Sequence, residues 1–434
     1  MRCRSNCYDS IRQSLSACPI IDTHDHSYRC EPAYYDPIVA IAGSYYSQDF
    51  ITVSSQSDYE FVTDTAVDLE KRWPVFEKNW NKSRHTGYAQ CVRRALERFY
   101  GIETLTLEAL HRMQGNLLKL EDRAVFESIL QQAGIVVRLE DLGHIPDSER
   151  LCEQVLAGTF ELSPRGRLLI SLPRYHKLCS YEDVHQNVAP LNTTVTSLDE
   201  YLDCCRRIFV GYKAFGAVGF KDQSAYWRSL DYGLPDRSAA ENVFNRIMED
   251  PRRCLAYPDG AKLLDDYLFH QFMRFAAELD LPVQLHTGHM GGIRDDIAKA
   301  NAVRLRSVFE LHRDVRFDLL HANWPYGAEL LFLAKNYPNV CMNFAWAHII
   351  DPIYCVRLLK QALSCVPHGK IHAFGADFCG MAELAWAGAE MARDHIAVAL
   401  SEMVDRGYIA RARAEPIARR WLFDNPNGFY RLNA

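Results

Sequence analysis

From about residue 134 onward the chain alternates between short apolar runs and longer stretches with helical periodicity. GIVVRLEDL predicts a strand at about 134–142, RLLISLPRY one at about 167–175, AVGFKDQ one at about 217–223, and LPVQLHTG one at about 281–288. RFDLLHANW (about 316–324), VCMNFAW (about 340–346) and IHAFGADF (about 371–378) continue the series. Helices are predicted between them, near 148–157, 197–215, 240–249 with 260–280, 301–312, 326–337 and 352–365, and they fill most of 381–424. Strands that are apolar almost throughout, each separated from the next by a helix, are what a parallel sheet covered by helices requires.

One further strand is predicted at about 19–26, after a short helix at 5–18. Residues 30–130 break the alternation. They are rich in Tyr, Trp, Arg and Glu, and the segments TGYAQCVRRALERFYG and LTLEALHRMQGNLLKL carry helical periodicity. This region reads as a helical insertion at 30–130, after strand one, that caps the barrel mouth within one domain covering 1–434. Counting the strands gives eight, so the expected fold is α/β: a (β/α)₈ TIM barrel with a large helical insertion after strand one. No Gly-x-Gly-x-x-Gly follows the first strand, which argues against a dinucleotide-binding sheet.

Composition narrows the partners. A net charge of −6 without any basic cluster excludes a nucleic-acid surface, and no apolar run reaches the roughly 18–20 residues of a membrane span. MRCRSNCYDSIRQ lacks the continuous apolar core of a signal peptide. The fourteen cysteines never form Cys-x-x-Cys. Several of them (Cys91, Cys204, Cys205, Cys341) fall inside predicted elements, as reduced, buried small hydrophobes would. A cytoplasmic, self-associating enzyme acting on a small molecule is the expectation.

In such barrels the active site lies at the C-terminal ends of the strands. His24 and His26, two apart on strand one, project to the same face. Lys221 ends strand four, His286 strand five, His321 strand six and Asp377 strand eight. Imidazoles and a carboxylate arriving from separate strands at one end make a transition-metal site. Arg174 and His176 after strand three, and Arg228 near strand four, are candidates to recognise an acidic substrate. Trp324, Trp346 and His348 lie just past strands six and seven, and His289 sits on the glycine-bearing loop after strand five; all four are candidate pocket residues. Asp25 points to the opposite face from the histidine pair and is expected to anchor the barrel. The remaining histidines, His144 and His372 among them, are expected to be ordinary.

IDTHDH on strand one, LHTGH on strand five, LLHANWPY on strand six and GADF on strand eight resemble the amidohydrolase superfamily of metal-dependent barrels. The resemblance is closest to the amidohydrolase-related branch that includes the domain fused to glutamine synthetase in fungi and plants. VGFKDQSAYWRSL, ANAVRL and the closing NPNGFYRL support it, and it spans about 18–434. The uronate isomerases are also similar, but FAWAH stands where they carry a Trp-Trp segment. The resemblance implies that His24, His26, His286 and Asp377 hold one divalent ion, Zn²⁺ ahead of Mn²⁺. Such an ion would lower the pKa of its water to near 7. Asp377 would move the water's proton and His321 would polarise the substrate carbonyl or act as a second acid–base group. Lys221 would either bridge two metals in carboxylated form or bind substrate. The implied activity is hydrolysis of an amide or lactone in a small, polar, carboxylate-bearing substrate; the alternative is an isomerase or decarboxylase on the same site.

Overall fold

Eight parallel strands follow one another round the sheet in sequence order: β1 (Ile20–Asp25), β2 (Ile135–Asp141), β3 (Gly166–Ser171), β4 (Gly219–Asp222), β5 (Val283–Leu285), β6 (Phe317–Leu319), β7 (Val340–Asn343) and β8 (Ile371–His372). The computed structural model describes residues 7–26, 35–143, 148–379 and 381–434, so His144 lies outside the described residues. The barrel is the α/β architecture expected from the alternation of the chain.

Ladder pairing runs from β1 to β8, and the chain just beyond β8 closes the remaining seam. Thr23 N donates to Phe374 O at 3.2 Å, Asp377 N to His24 O at 2.9 Å and His26 N to Phe378 O at 3.2 Å. Two aspartates stitch the same seam with their side chains: Ala376 N donates to Asp22 Oδ1 and Phe378 N to Asp25 Oδ1, at 2.9 and 2.8 Å. Asp25 therefore has the anchoring role expected of it, and its second oxygen lies 3.6 Å from the buried guanidinium of Arg138.

Several strands are shorter than the apolar runs suggested. β5, β6 and β8 leave the ladder after Leu285, Leu319 and His372, well before residues 288, 324 and 378. The chain departs where polar side chains must be turned over the barrel mouth. His321, Trp346 and Asp377, just past β6, β7 and β8, all have left-handed φ values of 62, 63 and 59°. Such a backbone costs about 1–3 kcal/mol at a bulky residue and is concentrated at functional sites.

The N-terminal end of the barrel is filled by the end of the chain. Tyr430 and Leu432 pack with Ile21, Val137, Leu139 and Leu169. Above them Asp318 Oδ2 accepts from Asn343 Nδ2 (2.7 Å), Tyr430 Oη (2.5 Å) and His372 Nδ1 (2.9 Å). Three donors on one buried carboxylate are what make its burial tolerable. His372 thus belongs to this internal network.

Between β1 and β2 seven helices stand among the described residues, from Pro37–Ala42 to Arg123–Gln132. Tyr46, Phe50, Phe76 and Trp80 form their shared aromatic core, with Phe50 stacked on Phe76 at 5.8 Å. Arg72, also buried, is neutralised by Asp36 at 2.5 Å. The helix Gly87–Tyr100 meets the barrel end-on at Gly87, where a Cβ would lie 2.2 Å from the carbonyl oxygen of Ile349. Only glycine permits that approach. Among the described residues no helix is long and apolar enough to cross a membrane, and Cys91, Cys204, Cys205 and Cys341 are free and buried.

Candidate metal centre

The strand ends deliver their polar residues to one place. Ligand atoms of His24, His26 and Asp377 all lie within 4.8 Å of one another. His26 Nε2 is 3.0 Å and His24 Nε2 3.5 Å from Asp377 Oδ1. His26 Nδ1 donates to the carbonyl oxygen of Asp141 at 2.9 Å, because a carbonyl can only accept. A neutral His26 would then turn a lone pair toward a carboxylate oxygen. That contact is stable only if His26 is an imidazolium or if a cation stands between the two. Without an ion the first applies: burial lowers the His26 pKa, but the hydrogen bond and charge of Asp377 outweigh it and hold it above the usual value. Burial likewise pushes Asp377 up, and His26, His321 and Lys221 outweigh it, so the carboxylate is ionised.

His24 is the clearer sign. It is fully buried, and neither ring nitrogen has a hydrogen-bond partner. Burial first, then the charge of Lys221, hold its pKa well below the ordinary value, so it presents a lone pair. An idle, neutral, buried imidazole is costly in a polar cluster unless something binds it, and a divalent cation fits that need.

Lys221 and Asp141 line the same cluster. Lys221 Nζ is buried and 3.9 Å from Asp141 Oδ2. Burial lowers the Lys221 pKa against the pull of Asp141, Asp377 and Asp222. Asp141 Oδ2 makes no hydrogen bond of its own. Its position at the end of β2 follows the same rule that marked Lys221 and Asp377, so GIVVRLEDL already carried the signal.

His286 stands one ring away from the three-residue cluster. Its Nε2 donates to His289 O at 2.7 Å, and its Nδ1 is 2.9 Å from His321 Nε2. In this arrangement the strand-five loop folds back and occupies the outer nitrogen of His286. His321 Nδ1 is 3.1 Å from Ala345 O and 3.6 Å from Asp377 Oδ2, which places it beside the carboxylate. Burial holds His321 down to about 4 and His286 well below the ordinary value.

Three residues expected at the substrate are held elsewhere. His176 is fully buried, with Asp222 on Nε2 and Asp265 on Nδ1, both at 2.7 Å. Arg228 pairs with Asp265 at 3.1 Å and Asp266 at 2.5 Å over the ring of Tyr232. Arg174 Nε donates to Asn187 at 3.0 Å. Their partners lie on the helices Lys262–Glu278 and Tyr181–Val188 or at the end of β4. His348 donates Nε2 to Ala373 O and contacts His395, away from the cluster.

An aromatic wall covers the centre. Trp346 packs on His321 (5.4 Å between rings), His289 (4.9 Å) and Tyr45 (4.5 Å). Trp324 meets His289 edge-on at 5.3 Å and donates Nε1 to Asp351. Tyr88 Oη is 3.1 Å from His289 Nε2, and Tyr226 lies 4.8 Å from the ring of His286. Tyr45, Tyr88 and Tyr226 escaped notice in the sequence, because a tyrosine in a helical region carries no mark of the strand end it will cover. Gly288, with φ 73°, brings its Cα so close to the chain at Asn323 and Trp324 that a Cβ would sit 2.5 Å from Trp324 O.

Comparison with known proteins agrees with this geometry. A family profile described as amidohydrolase matches residues 250–432. Protein fluG of Emericella nidulans is 29% identical over 230 residues, which is 50% of this chain and 26% of that protein. Over residues 250–432 the chain is similar to the amidohydrolase family. Its match to protein fluG thus spans about a quarter of that protein's length. Among solved structures, glucuronate isomerase from Caulobacter crescentus superposes with a TM-score of 0.71 at 15% identity, covering 98% of this chain and 94% of that one. Uronate isomerase from Thermotoga maritima gives 0.70 at 14%, covering 98% and 97%. A protein from Lactobacillus casei, provisionally described as a metal-dependent hydrolase, gives 0.66 at 17%, covering 99% and 98%. At these identities the likeness is one of fold. A divalent metal is what the likeness to the amidohydrolase family implies, and the idle His24 beside His26 and Asp377 suits one.

Proposed function

We propose that the protein is a metal-dependent hydrolase that opens an amide or lactone bond in a small molecule. The observation that carries the reading is the union of His24, His26 and Asp377 within 4.8 Å, with both nitrogens of His24 unsatisfied. His24, His26 and Asp377 would hold the ion, with Zn²⁺ the first choice for two imidazoles and a carboxylate. When bound, a divalent ion supplies Lewis acidity, which activates water and polarises a carbonyl.

The chain's own groups do the rest. Asp377, ionised and with Oδ2 turned toward His321, accepts the proton of the attacking water and returns it to the leaving nitrogen or oxygen. His321, held in place by Ala345 O and His286, stands where it can contact the substrate carbonyl. Lys221, next to Asp141, offers a buried cation that would steady the negative charge that develops on the carbonyl oxygen. The aromatic wall keeps bulk water from these groups.

A second reading, an aldose–ketose isomerase, draws support from the neighbouring proton carriers Asp377 and His321, 3.6 Å apart, which suit proton shuttling between carbons. Incubating metal-loaded protein separately with amides, lactones, hexuronates and aromatic carboxylic acids distinguishes them. Release of acid and amine, or of a hydroxy acid, supports hydrolysis. Ketose or CO₂ formation without hydrolysis overturns it. Metal content in protein purified without chelator tests the site itself: about one ion per chain supports Lys221 as a substrate contact, and about two assign it a bridging role.

A further inference from the structure

Beside the metal centre is a cavity of about 330 Å³, at the small end of the range for ligand sites. Its walls come from the first helices after β1, the loop after β5 and the segment after β8. Tyr45, Ile51, Ile293, Phe378 and Met381 supply apolar surface, Ser44, Ser47 and Gln48 supply neutral polar groups, and Gly43, Gly291 and Gly292 leave the room. Among the described residues no charged side chain lines it.

The cavity adjoins the reacting groups. Tyr45 lines it and donates Oη to the carbonyl oxygen of Asp377 at 2.6 Å, and Phe378 follows Asp377 directly. Gly291 N donates to Tyr226 Oη at 2.8 Å, and a Cβ on Gly291 would meet Tyr226, Tyr45 and Trp346 at 3.3–3.8 Å. Trp346, 2% exposed, keeps its Nε1–H without a partner in this wall. Meanwhile Arg228 and His176, suited to a substrate carboxylate, are committed to Asp222, Asp265 and Asp266, and Arg174 is bonded to Asn187.

We infer that this chamber receives an uncharged, ring-bearing apolar group of the substrate, so that the enzyme prefers aryl or cycloalkyl amides and lactones to substrates that would place a carboxylate there. A carboxylate placed there would lose its water without meeting a cation among the described lining residues, whereas a ring would bury apolar surface against Tyr45, Ile51 and Phe378. The inference rests on the hydrolase reading for the bond that is cleaved, but the chamber's preference is measurable without turnover.

The test is calorimetric binding of benzamide and of glucuronate to the metal-loaded protein, alongside hydrolysis of N-benzylacetamide and N-acetylglutamate. Benzamide is expected to bind at least about tenfold more tightly than glucuronate, and N-benzylacetamide to be the better substrate, since even single-group differences in an apolar pocket are worth roughly 10–200-fold. Ile51→Asp and Ser47→Asp each place a charge on the chamber wall away from the metal cluster. Both should weaken benzamide at least about tenfold while metal content and the thermal midpoint hold. Tighter binding of glucuronate, or benzamide affinity unchanged in both variants, overturns the inference. If benzamide binds as expected but no amide or lactone is opened, the hydrolase reading fails and the chamber stands. If uronolactones are hydrolysed and benzamide does not bind, the chamber fails and the hydrolase stands.

Discussion

Tyr45 Oη donates to the backbone carbonyl of Asp377 at 2.6 Å, tying the helices that follow β1 to the acid that follows β8. The carbonyl sits at a residue with left-handed φ, so the bond supports a strained turn. Tyr45→Phe should leave that carbonyl unpaired and cost about 1–3 kcal/mol of stability. Metal content should be retained and kcat lowered, because Asp377 loses its fixed orientation. Denaturant unfolding together with metal analysis checks both parts.

His24→Ala should abolish bound metal and activity together, since no other described group is placed to replace its nitrogen. Asp377→Asn should keep much of the metal but lower turnover on the order of 10²- to 10⁴-fold, the loss expected for an acid–base group. Element analysis and steady-state rates on the two variants separate holding the ion from moving the proton. Full activity in His24→Ala would refute the site.

The pH dependence of stability should carry the signature of His176. Burial lowers its pKa, but the charge of Asp265 and the hydrogen bonds to Asp222 and Asp265 outweigh it and raise it to about 9. A raised folded pKa means the protonated ring stabilises the fold. That contribution is complete below the unfolded value near 6.5 and drains away as pH rises through about 9. Unfolding free energy should therefore fall between pH 6.5 and 9, by on the order of 3 kcal/mol from this group. In His176→Gln, chemical denaturation across that window should show a much flatter slope.

Gly288→Ala combines two penalties, a φ of 73° and a Cβ placed 2.5–2.6 Å from the backbone of Asn323 and Trp324. A strained backbone alone costs about 1–3 kcal/mol, and the clash adds to it. The expected result is a lowered thermal midpoint and displaced fluorescence of Trp324. A midpoint equal to that of the natural protein would contradict the close approach.

The barrel was legible because its strands fall in short, mostly apolar runs separated by helical stretches, the pattern that burial on both faces of a parallel sheet favours. His24, His26, Lys221, His321 and Asp377 could be placed because a strand's end is readable and barrel chemistry collects there. The orientation of His286 was not readable. It depends on the loop bringing His289 O back to the ring, a contact set by local folding of glycine-rich chain. The partners of Arg174, His176 and Arg228 were not readable for a related reason. They are distant in sequence, and the spacing of charges along a helix such as Lys262–Glu278 does not reveal which strand end it will meet. Tyr45 and Tyr88 look from sequence like core aromatics, and only the packing of the helices onto the mouth turns them toward Asp377 and His289.

The apolar base of the barrel joins Ile21, near the start of the chain, to Tyr430 and Leu432, near its last residue. During synthesis the strands emerge in order, yet the inner surface around Ile21, Val137 and Leu139 has nothing to rest on until the segment carrying Tyr430 has left the ribosome. A nascent chain must therefore wait with an open, greasy ring, a species prone to aggregate and suited to chaperone capture. Pairings so remote in sequence also make for slow closure. The segment carrying Tyr430 and Leu432 thus acts as the stopper whose arrival covers that ring.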